Sequence, residues 1–75
     1  MTELVLFITR SLVDKPEQVT VNETSSPGGV LLELRVAGDD MGKVIGKQGR
    51  IAKSIRAIVR AAAAKENVNV TLEIV

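Results

Sequence analysis

The sequence contains no cysteine and no histidine, and Phe7 is its single aromatic residue. Without cysteine there is no disulfide and no thiolate nucleophile, and the usual zinc ligands are missing as well. Histidine is the commonest general acid–base side chain, so its absence, together with acids that are scattered along the chain, argues against an enzyme. A chain with one aromatic residue also cannot stack several bases on surface rings. We therefore expect no catalysis, no metal and no cofactor.

Long hydrophobic runs are also missing. The apolar run at residues 4–8 is short and follows Glu3, whereas a signal peptide needs a longer apolar stretch behind basic residues and a membrane span needs about 20 apolar residues. We therefore expect a cytoplasmic protein that does not associate with membranes. The 75 residues suffice for one domain, which we place at residues 1–75.

The charges are unevenly distributed, although the net charge is only +1. Residues 43–65 contain seven basic residues and no acid, while the rest of the chain contains three basic residues and all nine acids. A nearly neutral protein with one strongly basic segment is suited to bind an anionic partner on one side.

Hydrophobic periodicity predicts three helices and three strands. The predicted elements are a helix at 3–13, a strand at 19–23, a turn at 25–29, a strand at 30–36, a short helix to about Ile45 capped by Asp39 or Asp40, a helix at 50–65 and a strand at 68–74. On the first helix, the spacing of Leu4, Phe7, Ile8 and Leu12 predicts the core face, with Phe7 buried.

On the long helix, Ile51, Ile55, Ile58, Val59 and Ala62 are predicted to share the buried face, opposite Lys53, Arg56 and Arg60. The order α-β-β-α-α-β indicates a two-layer α+β domain with three helices on one face of a sheet. Because the first two strands form a hairpin and a helical crossover precedes the third, we expect a three-stranded mixed sheet.

The segment Gly46-Lys47-Gln48-Gly49 joins the two predicted helices with almost no loop. Its glycines permit backbone angles that are closed to other residues and leave no Cβ to keep a ligand away. The amides of Gly49 and Arg50 are predicted to lie at a helix N-terminus, where free N–H groups and the helix dipole favour phosphate. Lys47 and Arg50 add positive charge at the same place, and we expect a groove for unstacked bases beside the second strand.

This tetrapeptide, preceded by Val44-Ile45 and set within the element order α-β-β-α-α-β, resembles the signature loop of the KH-domain family in its type II, bacterial arrangement. The resemblance extends over the whole chain and is nearest to small bacterial proteins that consist of a single KH domain. It implies single-stranded RNA binding through a loop that clamps the backbone of about four nucleotides. It also implies a non-enzymatic role as an RNA chaperone or post-transcriptional regulator.

By position, the resemblance assigns the phosphate clamp to the glycine tetrapeptide and the wall of the groove to the neighbouring apolar residues. The predicted RNA-binding residues are Lys43, Ile45, Gly46, Lys47, Gln48, Gly49, Arg50 and Lys53. The chain departs from the family at Ala52, where many KH domains carry a large aliphatic residue. Ile51 and Ile55 are the aliphatic residues nearby, and the sequence leaves open which of them contacts bases.

The sequence leaves three further alternatives open. The resemblance implies a homodimer, or a heterodimer with a larger KH-domain protein of the Jag type, so assembly with a partner chain is the alternative function. The small residues at 61–64 suit either tight packing within the domain or the close approach of a second subunit. Single-stranded DNA is not excluded as a ligand, because no residue of the chain identifies a reader of the RNA 2′-hydroxyl group.

Overall fold

The computed structural model describes residues 1–75. Its helices and strands are α1 (Thr2–Leu12), β1 (Thr20–Ser26), β2 (Gly29–Arg35), α2 (Met41–Ile45), α3 (Arg50–Lys65) and β3 (Val70–Ile74). Single turns of 3₁₀ helix at Pro16–Gln18, Gly38–Asp40 and Lys47–Gly49 connect them. The predicted order α-β-β-α-α-β is confirmed. None of the helices combines the length and the apolar composition that are needed to cross a membrane.

The sheet is mixed, as predicted, and its strand order is β1-β2-β3. β1 and β2 are antiparallel, with Ser26 opposite Gly29, so the connecting turn is only two residues long and β1 is longer than predicted. β2 and β3 are parallel, with Val30 opposite Val70 and Leu34 opposite Ile74. β2 is therefore the central strand and has no free edge.

The core lies between one face of the sheet and the three helices. Its eight buried apolar residues are Val5, Val19, Leu32, Leu34, Val44, Ile55, Val59 and Leu72. Each helix and the two strands β2 and β3 contribute to this cluster, so the sheet has helices on one face and solvent on the other. Because a domain of this size buries little surface, each core contact matters to its stability.

The buried face of α1 differs from the prediction. Val5 and Thr9 are fully buried, whereas Phe7 is 72% exposed and Leu12 is also exposed. Five consecutive apolar residues at 4–8 fit more than one helix face, and packing against β1 and α3 selects the face that contains Val5. The prediction that Phe7 is buried is therefore wrong.

The bounds of α3 agree with the prediction, but part of its buried face does not. Ile55 and Val59 are buried as expected, together with Ala52 and Ala63. Ile58, which we placed in the core, is 45% exposed. Its position on the helix is to one side of the buried stripe, so it lies at the border of the core and not within it.

Candidate nucleic-acid interface

The glycine turn, Gly46–Gly49, depends on glycine at its first position. Gly46 has φ 71° and ψ −178°, a combination that is essentially restricted to glycine. A Cβ at this position would lie 2.6 Å from Cγ1 of Ile51, which is far inside van der Waals contact. Gly46 therefore lets α2 end directly against the first turn of α3.

The second glycine has a different environment. Gly49 is in the left-handed conformation at φ 73° and ψ 15°, and a Cβ there would meet no atom within 4 Å. Gln48 is also left-handed, with φ 56°, and its side chain is exposed. The backbone at Gly49 is consequently open to the close approach of a ligand from solvent.

Two backbone amides of the turn, which were predicted to be free, donate hydrogen bonds within the protein. The N–H of Gly49 donates to the carbonyl oxygen of Gly46 at 3.3 Å, and the N–H of Arg50 donates to the carbonyl oxygen of Lys47. The prediction that the amides of Gly49 and Arg50 are free phosphate donors is therefore wrong, because they stabilise the turn itself. The attraction for an anion at this position comes instead from side chains and from the N-terminal end of the α3 dipole.

Three cations surround the turn without an acidic partner. Lys47, Arg50 and Lys53 are exposed, and the ion pairs of the structure involve other residues. The absence of acids between residues 43 and 65 explains this arrangement. These three side chains are free to bind an anionic ligand at the turn.

Lys43, which we predicted to bind RNA, is already paired. Its Nζ donates to the carboxylate of Asp14, and this hydrogen bond raises the pKa of Lys43 above its ordinary value. A phosphate at Lys43 would have to displace Asp14. The structure thus sets Lys43 apart from the three unpaired cations.

Asp14 and Lys43 belong to a charged cluster that sequence reasoning missed. The buried carboxylate of Asp40 accepts hydrogen bonds from the amides of Asp14 at 3.1 Å and Lys15 at 3.0 Å. Nζ of Lys15 lies 2.9 Å from the carboxylate of Asp39, and this hydrogen bond lowers the pKa of Asp39 and raises that of Lys15.

The cluster fixes the start of α2 to the end of α1. The predicted helix cap at Asp39 or Asp40 is wrong, because α2 has no side-chain cap and Asp40 binds the α1–β1 connection instead. The partners are 24 to 29 residues apart in sequence, so no local pattern could indicate them. Because α2 leads directly into the glycine turn, the cluster positions the turn.

Two apolar side chains lie next to the turn. Ile45, the last residue of α2, is 39% exposed, and Ile51 is half-buried with its side chain near Gly46. Ala52 and Ile55 are buried, so Ile55 belongs to the core. Of the two aliphatic residues that the sequence left open, Ile51 is the one that a ligand could reach.

The groove beside the second strand stays a prediction, but Leu32 and Leu34 of β2 are fully buried and cannot contact a base. β2 itself lies between β1 and β3. The free strand edge near α3 belongs to β3. A pocket of about 110 Å³ lies there, lined by Arg56, Val59, Arg60, Thr71 and Leu72. Two larger concave regions lie at the β1–β2 turn and the start of β3, away from the glycine turn.

Arg56 is less exposed than its predicted place opposite the buried face of α3 suggests. It is half-buried, and its Nε donates to the carbonyl oxygen of Leu72 at 3.2 Å. Arg56 thus joins α3 to the outer edge of β3. The prediction had considered only the helix and not the strand beside it.

Comparison with known proteins agrees with this architecture. The sequence matches the family described as KhpA/KhpB, KH domain, over residues 2–74. Proteins named RNA-binding protein KhpA from Clostridium perfringens and Clostridium acetobutylicum are 61% and 55% identical to this chain, each over the full length of both chains. The protein of the same name from Treponema pallidum is 47% identical over 97% of this chain and 91% of its own. No solved structure shows a significant match. The chain therefore belongs to the KhpA/KhpB family of KH domains.

Proposed function

We propose that the protein is a non-enzymatic RNA-binding module that holds the backbone of single-stranded RNA at the glycine turn. The observation that carries this proposal is the open, left-handed backbone at Gly49 among three exposed cations without acidic partners, Lys47, Arg50 and Lys53. The relatives reported above, which are named RNA-binding proteins, support it.

In this proposal the phosphates lie against the backbone at Gly49, where no Cβ keeps them away, and pair with Lys47 and Arg50. The positive end of the α3 dipole adds to the attraction. Ile45 and Ile51 offer apolar contact to one or two bases beside the turn. Because the single aromatic residue is on α1, no base stacks on a ring at this site. Weak base preference of this kind suits an RNA chaperone or a post-transcriptional regulator that acts on many RNAs.

The test is binding of a mixed pool of single-stranded RNA to the wild type and to the double variant Lys47→Asp/Gln48→Asp. These substitutions place acids where the phosphates lie, at exposed positions, and change the net charge by −3. We expect affinity to fall at least tenfold at low salt while the circular dichroism spectrum stays unchanged.

The matched control is Lys65→Asp/Asn67→Asp, which changes the charge equally at the other end of α3. It should lose much less affinity, because only long-range attraction is affected. Equal losses in both variants, or none in the Lys47/Gln48 variant, would refute the clamp. Titration with DNA of the same sequence shows whether the 2′-hydroxyl group contributes to binding.

A second candidate function, assembly with another chain, is favoured by the exposure of Ile58. This side chain lies at the border of the core, next to the side of α3 that contains Ala61, which is exposed and small enough to let a second helix approach. We propose that this surface pairs two copies of the chain, or this chain with another KH-domain protein. Pairing would place two glycine turns on one RNA strand and raise the apparent affinity.

Light scattering across micromolar concentrations tests the homodimer. The wild type should show a dimer that Ile58→Glu converts to a monomer, because a carboxylate cannot be buried unpaired in an apolar interface. Ala64→Glu, on another side of α3, is the control and should remain dimeric. A wild type that stays monomeric at every concentration, with or without a second KH-domain protein, would contradict this candidate.

A further inference from the structure

We propose that Arg56 and Arg60 form a second phosphate subsite between α3 and the free edge of β3. We call it the arginine pocket. It would hold the RNA backbone after the strand leaves the glycine turn, and the inference therefore rests on the proposed function.

The pocket has the size and the donors that a phosphate group requires. Its volume of about 110 Å³ exceeds several-fold the roughly 30 Å³ that a water molecule occupies. Arg56 and Arg60 are one helical turn apart and therefore project from the same side of α3. Thr71 and Leu72 of β3 line the side of the pocket that faces away from the helix. The other concave regions, at the β1–β2 turn, have no charged side chain in their walls.

One of the two guanidinium groups is held in place by the protein, and neither is neutralised by an acid. Arg56 uses Nε to bind the carbonyl oxygen of Leu72, which orients the group and leaves its terminal nitrogens free to donate. Arg60 takes part in no ion pair. Two unpaired like charges one turn apart repel each other. A phosphate between them would relieve this repulsion and match the forked geometry of arginine.

A continuous series of cations connects the glycine turn to the pocket. At 3.6 residues per turn, Arg50, Lys53, Arg56 and Arg60 fall within about 120° of the α3 surface. Arg56 and Arg60 lie about 9 Å and about 15 Å along the helix axis from Arg50. A turn of this type clamps about four nucleotides, so the pocket is reached only by a longer strand.

This dependence on length provides the test. Fluorescence anisotropy compares mixed-sequence RNAs of four and ten nucleotides on the wild type and on Arg60→Gln. Arg60 is exposed and makes no side-chain hydrogen bond within the protein, so the variant should fold. We expect affinity for the longer RNA to fall about three- to tenfold and affinity for the shorter RNA to change less than about twofold. For the longer RNA, the slope of the logarithm of the binding constant against the logarithm of the salt concentration should become shallower by about 0.7. This is the value for one phosphate contact on a single strand.

The control is Lys65→Gln, which removes one charge from the same helix outside the pocket. The inference is refuted if Arg60→Gln binds the longer RNA as tightly as the wild type does, or if Lys65→Gln loses as much affinity. Loss of short-RNA binding in Arg60→Gln would also contradict it, because the pocket would then be part of the first contact. The proposed function fails separately, if Lys47→Asp/Gln48→Asp leaves binding of the four-nucleotide RNA unchanged.

Discussion

Replacing Gly46 by alanine should destabilise the domain far more than replacing Gly49, although both glycines belong to the same turn. Both have positive φ, at 71° and 73°. They differ in ψ and in their surroundings, because a Cβ at Gly46 would meet Ile51 and a Cβ at Gly49 would meet nothing within 4 Å. Gly46→Ala therefore combines backbone strain with steric overlap, whereas Gly49→Ala causes backbone strain alone.

The magnitudes follow from these two contributions. An alanine in the left-handed region costs about 1–2 kcal/mol, which is the whole expected effect at Gly49. At Gly46 the backbone conformation is less favourable for alanine, and adopting it costs about 1–3 kcal/mol. The overlap with Cγ1 of Ile51 at 2.6 Å adds an overpacking cost of about 1–3 kcal/mol. Together these give about 2–6 kcal/mol for Gly46→Ala, a large part of the roughly 4–11 kcal/mol typical of a domain of this length.

Urea unfolding followed by circular dichroism measures both effects. The double variant Gly46→Ala/Ile51→Ala adds a further check, because truncating Ile51 removes the two closest atoms, Cγ1 and Cδ1, but not the backbone strain. It should be about 1–2 kcal/mol more stable than the sum of the single effects predicts. Equal destabilisation by Gly46→Ala and Gly49→Ala, or strict additivity in the double variant, would refute the reasoning.

Three further predictions concern side chains away from the turn. Asp40→Ala should lower the free energy of unfolding by about 2–4 kcal/mol in urea denaturation, because the amides of Asp14 and Lys15 lose a charged, buried acceptor; a loss below about 0.5 kcal/mol would contradict the role given to Asp40. Thr9→Val should raise the free energy of unfolding by about 1 kcal/mol, because the fully buried Oγ1 of Thr9 has no hydrogen-bond partner. A lower unfolding midpoint would show that the hydroxyl group does have a partner. The hydrogen bond from Lys15 lowers the pKa of Asp39 below its ordinary value of 3.8, so the pair stabilises the fold above that pH, and the effect is lost as the pH falls through the lower folded value. Lys15→Gln should raise the pKa of Asp39 toward its ordinary value in an NMR titration, and an unchanged pKa would exclude the pair.

The elements with strong local signals could be predicted from the sequence. The helix Arg50–Lys65 begins after a glycine and ends before Asn67, which adopts the left-handed φ of 55° that such a helix end favours. The hairpin and the parallel return of the last strand followed from alternation and from the helical crossover. The position of the glycine turn between two helices, on which the candidate site depends, was therefore predictable as well.

The remaining differences come from tertiary contacts. Phe7 is the single aromatic residue of the chain, but the buried side of its helix contains Thr9 instead, and hydrophobicity alone cannot choose a polar residue for the core. The bond from Arg56 to Leu72 and the burial of Asp40 depend on elements that are distant in sequence. The hydrogen bonds that occupy the amides of the turn result from its two left-handed residues, Gln48 and Gly49. Only the first glycine of the turn is required by contacts within the fold.

The central claim, that single-stranded RNA binds at the glycine turn, is tested most directly by mapping amide chemical shifts during titration with a ten-nucleotide RNA. The largest changes should occur at residues 45–53, with smaller ones near Arg60 and Thr71. The solvent face of the hairpin, including Asn22 and Thr24, should not respond. Changes centred on that face, or no response at residues 46–50 under conditions where the RNA binds, would contradict the account.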